Sequence, residues 1–428
     1  MASITYNGKQ IPVLTQVDVA VFGGGPGGLG AAVMAARAGA RTLLVERYGC
    51  LGGMATFGEV HPFMPNHVDG KPLDGPVYTD WLAAMDRYWD RADKLQISKE
   101  AAMLAAEDLV LESGAELLYH HVLVDAVREG DRITHAVVHS KSGFGAITAK
   151  AFVDCTGDAD LAALAGCEFE QGGPSGNCQP MTLCFKLSHV DRGRVPWGEV
   201  NKLYAEARAK GEVANPRENI LHFKWMDDDV VHFNTTRVIR KSGTNGMELS
   251  DAEMEARRQL RQLLAFFRTR VPGFEHARLH SVAHHVGVRE TRRVRGLAYL
   301  TRRDFEQCSK FPDAIARVNY PIDIHNPDGS GTEHANVPKG DWYEIPFGCV
   351  VARDLENLFV GGRPISVDHA VHSSMRVMPP ACTVGSAAGM GAVMMAAREC
   401  SSHELDGCAV REALVRQGAA LAEAVAAG

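Results

Sequence analysis

The sequence predicts an α/β fold whose main domain is discontinuous in the chain and is interrupted by a β-rich α+β domain. Three observations predict it. An apolar strand, a glycine turn, a small-residue helix and a second strand follow one another over Val17–Glu46. The same glycine–alanine style returns in the last third, from Asn357 to Ala397. Between them, from Gly172 to Asp341, aromatic residues, basic residues and broken strands replace it. The expected main domain therefore comprises residues 1–61, 100–175 and 342–428. A loop and helical insertion occupies 62–99, and a substrate-facing domain 176–341.

The first unit carries the chemistry. Val17–Phe22 has strand character, Gly23 to Gly28 form the turn, and Ala31, Ala32, Ala35 and Ala36 mark the helix. Gly23 permits the tight turn, Gly25 lets backbone approach a pyrophosphate, and Gly28 lets helix and strand pack closely. The helix start offers free N–H groups and partial positive charge to phosphate. Glu46 ends the second strand about 20 residues past the glycines, where a carboxylate meets a ribose hydroxyl. It would repel a 2′-phosphate, so FAD or NAD fits and NADP does not. A lone glycine turn is more often only a turn; here strand, turn, helix and acid fall in order.

After Glu46 and Arg47, Gly52-Gly53-Met54-Ala55-Thr56 reads as a backbone-rich loop against which a flat ring can lie. Pro62–Pro76 reads as irregular loop and 77–113 as helical. Leu117–Val127 reads as one strand, in which His120 and His121 point to opposite faces and are taken as structural. A hairpin, Ile133–His139 with Ala146–Val153, leads into Thr156-Gly157-Asp158 and a small-residue helix. For Asp158 the plain alternative is a helix cap. In the middle region, 250–268 has the pattern of an amphipathic helix with Ser250 and Glu253 in capping-box spacing. Pro379 and Pro380 sit where a long C-terminal helix would start.

Composition bounds the rest. The 428 residues suffice for two or three domains, and 46% hydrophobic with 23% charged is ordinary for a globular protein. A net charge of −7 gives no reason to expect nucleic acid or an anionic membrane. The N-terminus shows no signal-peptide pattern, and the apolar run at Gly385–Ala397 is too short to span a bilayer. Ten cysteines without a C-x-x-C pair suggest neither a metal site nor a cluster, and read as reduced thiols of a cytoplasmic protein. A small-molecule substrate is the expected partner, and a homo-oligomer stays open.

Five segments together resemble the FAD-dependent oxidoreductases of the glutathione-reductase/succinate-dehydrogenase superfamily. They are the glycine turn with Glu46, LGGMAT, DCTGDADLA, VRETRRVRG, and NLFVGGRPIS followed by HSSMRVMPPACTVGSAAG. The resemblance spans nearly the whole chain. It implies a Rossmann-like FAD-binding domain of the glutathione-reductase type, interrupted by a β-rich substrate domain. It implies that Gly23, Gly25 and Gly28 hold the pyrophosphate and Glu46, beside Arg47, the adenosine ribose. Gly52, Gly53 and Met54 would border the flavin, the Leu123 backbone the adenine, and Thr156 and Gly157 the adenosine diphosphate. Gly362 and Arg363 would meet the ribityl–pyrophosphate region. The helix carrying Ala387 would aim its N-terminus at the flavin pyrimidine, stabilising charge there by about 0.3–2 kcal/mol.

For the substrate, His369 and His372 are candidate bases, three apart and on one face if helical, with His61 a further candidate. Arg289 and Arg376 would supply forked donors for a carboxylate or carbonyl. The expected activity is hydride removal from a small hydroxylated or carboxylated molecule. The alternatives are reduction of a conjugated C=C bond, a redox-neutral isomerase or biosynthetic enzyme, and a non-catalytic electron-transfer subunit. The electron acceptor is not encoded in the pattern.

Overall fold

A computed structural model describes residues 2–89, 97–225 and 227–421. Lys9–Phe22 forms a long strand whose inner end, Val19–Phe22, is fully buried. It lies parallel to Thr42–Val45 on one side and to Gly143–Asp154 on the other. Glu116–Leu118 and Leu358–Val360 extend the parallel sheet outward, and Val122–Glu129 with Arg132–Ser140 adds an antiparallel flank. This mixed sheet is the α/β core that the first unit predicts. The C-terminal strand joins it beside Gly143–Asp154, so the domain is closed by residues more than 200 positions away.

Two helices, Pro26–Arg37 and Met378–Arg398, pack on this sheet and on each other at backbone distance. A Cβ on Gly30 would stand 2.1 Å from Cys382 O, and one on Gly385 2.0 Å from Gly27 O. The glycine–alanine composition of both ends of the chain is thus one helix–helix contact. The second helix runs 21 residues, longer than the apolar run suggested. Length and composition alone would let it cross a membrane, but 83% of its apolar window is buried inside the protein. It is a core helix.

The middle of the chain makes a second core. Phe185–Ser188, His222–Lys224, Val231–Phe233 and Arg278–Val282 form an antiparallel sheet, covered by the helix Gly246–Arg270. Phe233, Phe267 and Phe274 stack between them. This core ends at Val286, whereas Val294, Leu300 and Ile315 pack into the first one. By packing, the later part of the expected 176–341 segment belongs with the main sheet.

Several local expectations are corrected. The middle helix starts at Gly246, where Asn245 Oδ1 accepts from the Met247 and Glu248 N–H groups. Ser250 and Glu253 lie a turn inside it, so no capping box forms there. The strand expected over Leu117–Val127 breaks at Tyr119–His121, with His120 in the left-handed region at φ 58°. The break lets His121 N–H reach Glu46 O at 3.2 Å. The helical stretch expected over 77–113 is two helices, Pro76–Met85 and Lys99–Glu112; positions 90–96 lie outside the described residues.

Candidate functional site

Two adjoining cavities open where the sheet, the helix N-termini and the second core meet. The first, about 460 Å³, is bounded by Gly23, Gly25, Glu46, Thr156, Gly362 and the first turns of four helices. The second, about 580 Å³, lies between the second core and the segment Tyr320–His334. Met54, Val288, Arg363, Arg376 and Met378 border both. These five residues form a wall common to the two cavities.

Backbone builds the first cavity. Gly23 turns at φ 96°, and a Cβ there would stand 2.4 Å from Cys155 O. Gly25 is the N-cap of Pro26–Arg37 with no side-chain cap, and the nearest atom to an added Cβ is 3.9 Å away. That vacant volume before a helix N-terminus, with Pro26 at the first helical position, is a cradle for phosphate. Gly52 and Gly53 turn at positive φ, and Gly52 N–H donates to Gly24 O at 2.8 Å. Asp154, buried and pushed up to about 6 by that burial, accepts from Thr156 N–H, Thr156 Oγ1 and Ala162 N–H. It fixes the Thr156-Gly157 loop on the cavity wall.

Glu46 is buried, and its two oxygens accept from Gly24 N–H at 2.6 Å and Tyr48 N–H at 2.8 Å. It holds the glycine turn as well as facing the cavity. Asp158 does not cap the following helix, whose N-cap is Ala159. Its carboxylate accepts instead from Arg363 Nη2 at 3.0 Å and Thr291 Oγ1 at 2.8 Å. Arg363 Nη1 is buried without a partner among the described residues. An orphaned guanidinium N–H, a vacant glycine cradle and two helix N-termini fit a dinucleotide such as FAD.

The structure gathers Gly23, Gly25, Glu46, Arg47, Gly53, Met54, Leu123, Thr156, Gly157, Gly362 and Arg363 on this wall. Three expected residues stand elsewhere. Gly28 packs helix on strand, since a Cβ would fall 1.7 Å from Gly23 O. Gly52 shapes the loop behind the wall, and Ala387 is buried in the core between the helices. Tyr48, His121 and Asp160, not singled out as site residues from the sequence, also face the cavity, as does His285, one of two adjacent histidines of which the sequence allows at most one to face a pocket. His285 stacks on Tyr48 at 5.4 Å and on Phe57 at 5.7 Å. Asp160 lies within the DCTGDADLA segment; no motif flags His121 and His285, which depend on a strand break and on the second core.

Side chains build the second cavity. Arg217, Arg289, Arg363 and Arg376 face Glu218 and Asp323 across it, four guanidinium groups against two carboxylates. Arg289 Nη1 donates to Pro180 O and Thr182 Oγ1, both at 2.6 Å, and no carboxylate pairs with it among the described residues. Burial, then the charges of Arg376 and Arg217, push it down to about 9. Arg376 Nη2 lies 3.6 Å from Asp323 Oδ2, while its Nε is buried and has no partner among the described residues. For Asp323 burial raises the pKa, but His325, Arg376 and Arg289 outweigh it and hold it well below the carboxylate range.

The histidine expectations need correction. His369 and His372 do share a helix, His369–Met375, yet neither lines either cavity. His369 Nδ1 donates to buried Glu290 at 2.8 Å. His372 is fully buried with both ring nitrogens unpartnered among the described residues, and burial followed by the Arg293, Arg376 and Arg363 charges drives its pKa well below normal. Packing the helix against the strand Ile322–His325 turned that face inward. His61 does line the second cavity. Its Nε2–H donates to Ala55 O at 2.8 Å, leaving Nδ1 as an unpartnered acceptor, and burial lowers it to about 3. No group of three metal-ligating side chains is found among the described residues.

The family described as FAD dependent oxidoreductase matches residues 18–414. Thiamine thiazole synthase of Methanococcus vannielii is 33% identical over 156 residues, 34% of this chain and 57% of that protein. The enzyme of the same name from Methanococcus maripaludis is 31% identical over 157 residues, again 57% of its length. The chain therefore spans little more than half of these relatives. Among solved structures, a geranylgeranyl bacteriochlorophyll reductase-like protein from Thermoplasma acidophilum aligns with a TM-score of 0.46. It is 13% identical, over 94% of this chain and 83% of that one. p-Nitrophenol 4-monooxygenase from Pseudomonas putida gives 0.45 at 12% identity, over 95% and 88%. At these scores the likeness carries no functional argument.

Proposed function

Because the chain belongs to the FAD-dependent oxidoreductase family, and so is a flavoenzyme, we propose that it dehydrogenates a small carboxylated or hydroxylated molecule held in the second cavity. The observation that carries this is the shared wall of Met54, Val288, Arg363, Arg376 and Met378. FAD, when bound, supplies acceptance of the two electrons removed from the substrate carbon. The glycine turn, the Thr156-Gly157 loop and Gly362 would hold it in the first cavity.

The chain's own residues do the rest. Asp158 holds Arg363 at the boundary. Arg376, tethered by Asp323, keeps Nε free for a substrate oxygen. Arg289 is positioned by Pro180 and Thr182 and brings an unpaired positive charge that a carboxylate would neutralise. His61 stays neutral at physiological pH and offers Nδ1 to a hydroxyl as a hydrogen-bond acceptor.

The test is the visible spectrum of the purified protein, followed by an anaerobic screen of hydroxy acids, sugar acids and amino acids for flavin bleaching. A colourless protein that does not take up FAD, or a flavin that no carboxylated compound bleaches, defeats the proposal. The partial similarity to thiamine thiazole synthases supports a second reading, a biosynthetic enzyme built on the same nucleotide frame. That reading expects turnover with no reduction of an external acceptor.

A further inference from the structure

The second cavity has two unlike kinds of lining. Arg217, Arg289 and Arg376 make one, with more positive than negative charge facing the interior. Val60, Met64, Leu221 and Phe223 make the other, and none of them carries a polar side-chain atom. The volume, about 580 Å³, falls in the range of about 300–1,000 Å³ typical of pockets for drug-sized ligands. A two- or three-carbon acid would satisfy the arginines and leave the apolar lining against water. An uncharged ring would cover the apolar lining and leave Arg289 buried without a counter-ion. Only a molecule with both parts satisfies both kinds of lining.

Resting on the reading of this cavity as the substrate chamber, we propose that its ligand is an amphipathic acid: a carboxylate on a ring-sized apolar body. Arg289 and Arg376 select the carboxylate. Phe223 and Leu221, carried on and beside the strand His222–Lys224 of the second core, select the body. Specificity thus comes from two kinds of side chain that line one cavity. The low pKa of Arg289, caused by burial and by its arginine neighbours, accords with a site completed by an anion.

The experiment is calorimetric titration of the FAD-loaded protein with four probes: benzoate, benzamide, acetate and succinate. Benzoate is expected to bind at least tenfold more tightly than benzamide, on the order of what a charge-assisted contact contributes. It is expected to exceed acetate and succinate by a similar factor through the buried ring, on the order of tenfold. Arg289→Gln should weaken benzoate roughly tenfold and leave benzamide unchanged. Phe223→Ala should weaken benzoate roughly tenfold and leave acetate unchanged. This crossed pattern cannot arise from misfolding, which would weaken every probe. Equal binding of benzoate and benzamide overturns the proposal, as does acetate or succinate binding as tightly as benzoate, or no benzoate binding at all. Because titration needs no turnover, a protein that binds benzoate but is bleached by no acid defeats the proposed dehydrogenation alone.

Discussion

The two cavities are built from different materials. The first is made of main chain: glycines at the turn, a loop pinned by Asp154 and Glu46, and the N-termini of packed helices. The second is made of side chains drawn from segments between Met54 and Met378, most of them charged or bulky. A backbone site tolerates no added atom where main chain meets main chain, as at Gly28. A side-chain site tolerates substitution but changes what it prefers. The cofactor end should therefore fail by losing the fold, and the substrate end by losing selectivity.

Gly28→Ala should break the first cavity most severely. Its Cβ would fall 1.7 Å from Gly23 O, backbone against backbone, so helix and strand must separate. We expect a loss of about 4–5 kcal/mol, in the tail of single-residue effects, read as urea unfolding and as failure to retain FAD. Gly25→Ala is the contrast. Its Cβ enters open space, so apo stability should stay within about 1 kcal/mol while FAD affinity falls. Equal stability of the two variants would mean that the turn is not packed as described.

Glu59→Gln comes next, at the join between the two regions. Glu59 is fully buried and ion-paired with Lys186, with Lys99 2.7 Å from its other oxygen. Burial raises its pKa, but the two lysines outweigh that and hold it at about 2. Loss of the carboxylate strands the buried Lys186 charge, at a cost of about 3 kcal/mol. The native pKa lies below the unfolded one, so this stability is present above about pH 4.5 and lost as pH falls toward 2. Urea midpoints of the wild type should drop over that window, and those of Glu59→Gln should drop less. A parallel decline would remove Glu59 from the account.

The arginines separate the cavities by function. Arg289 lines only the second, whereas Arg376 lines both. Arg289→Gln should raise KM for the acid by on the order of tenfold to a hundredfold with the FAD dissociation constant unchanged. Arg376→Met should raise both. Steady-state kinetics and FAD titration decide it; an FAD defect in Arg289→Gln would show that the cavities are not distinct.

The same contrast explains what the sequence could tell. Glycine spacing encodes main-chain geometry directly, so Gly23, Gly25, Gly53, Thr156 and Gly362 were readable in advance. The return of glycine–alanine composition after Asn357 signalled a C-terminal segment that closes the domain, whereas the helix contact through Gly30 and Gly385 emerged only from the packing. The second cavity had no such code. Arg289 and Arg376 stood out as forked donors, but Arg217, Phe223 and Asp323 come together only through tertiary packing. His121 and His285 entered the first cavity through a strand break and an aromatic stack that no periodicity signals. His369 and His372 show the reverse case. Helical spacing correctly put them on one face, but spacing does not say which way that face turns.

His372 supplies the smallest expected effect and the sharpest division between the regions. A histidine between the flavin-end arginine Arg363 and a long helix invites the role of base, and its ordinary pKa near 6.5 suits one. Here it is fully buried, borders neither cavity, and is kept neutral by burial and by three arginines. Neither ring nitrogen has a partner among the described residues, so its polar atoms contribute nothing there that an apolar side chain of similar volume would lose. His372→Met should leave flavin reduction within about twofold, against the 10²–10⁴ typical of a removed general base, and stability within about 1.5 kcal/mol. Anaerobic stopped flow measures the first and urea unfolding the second. A hundredfold slower reduction with FAD still bound would place His372 in contact with the reacting atoms, and the boundary between the two cavities would have to be redrawn around it.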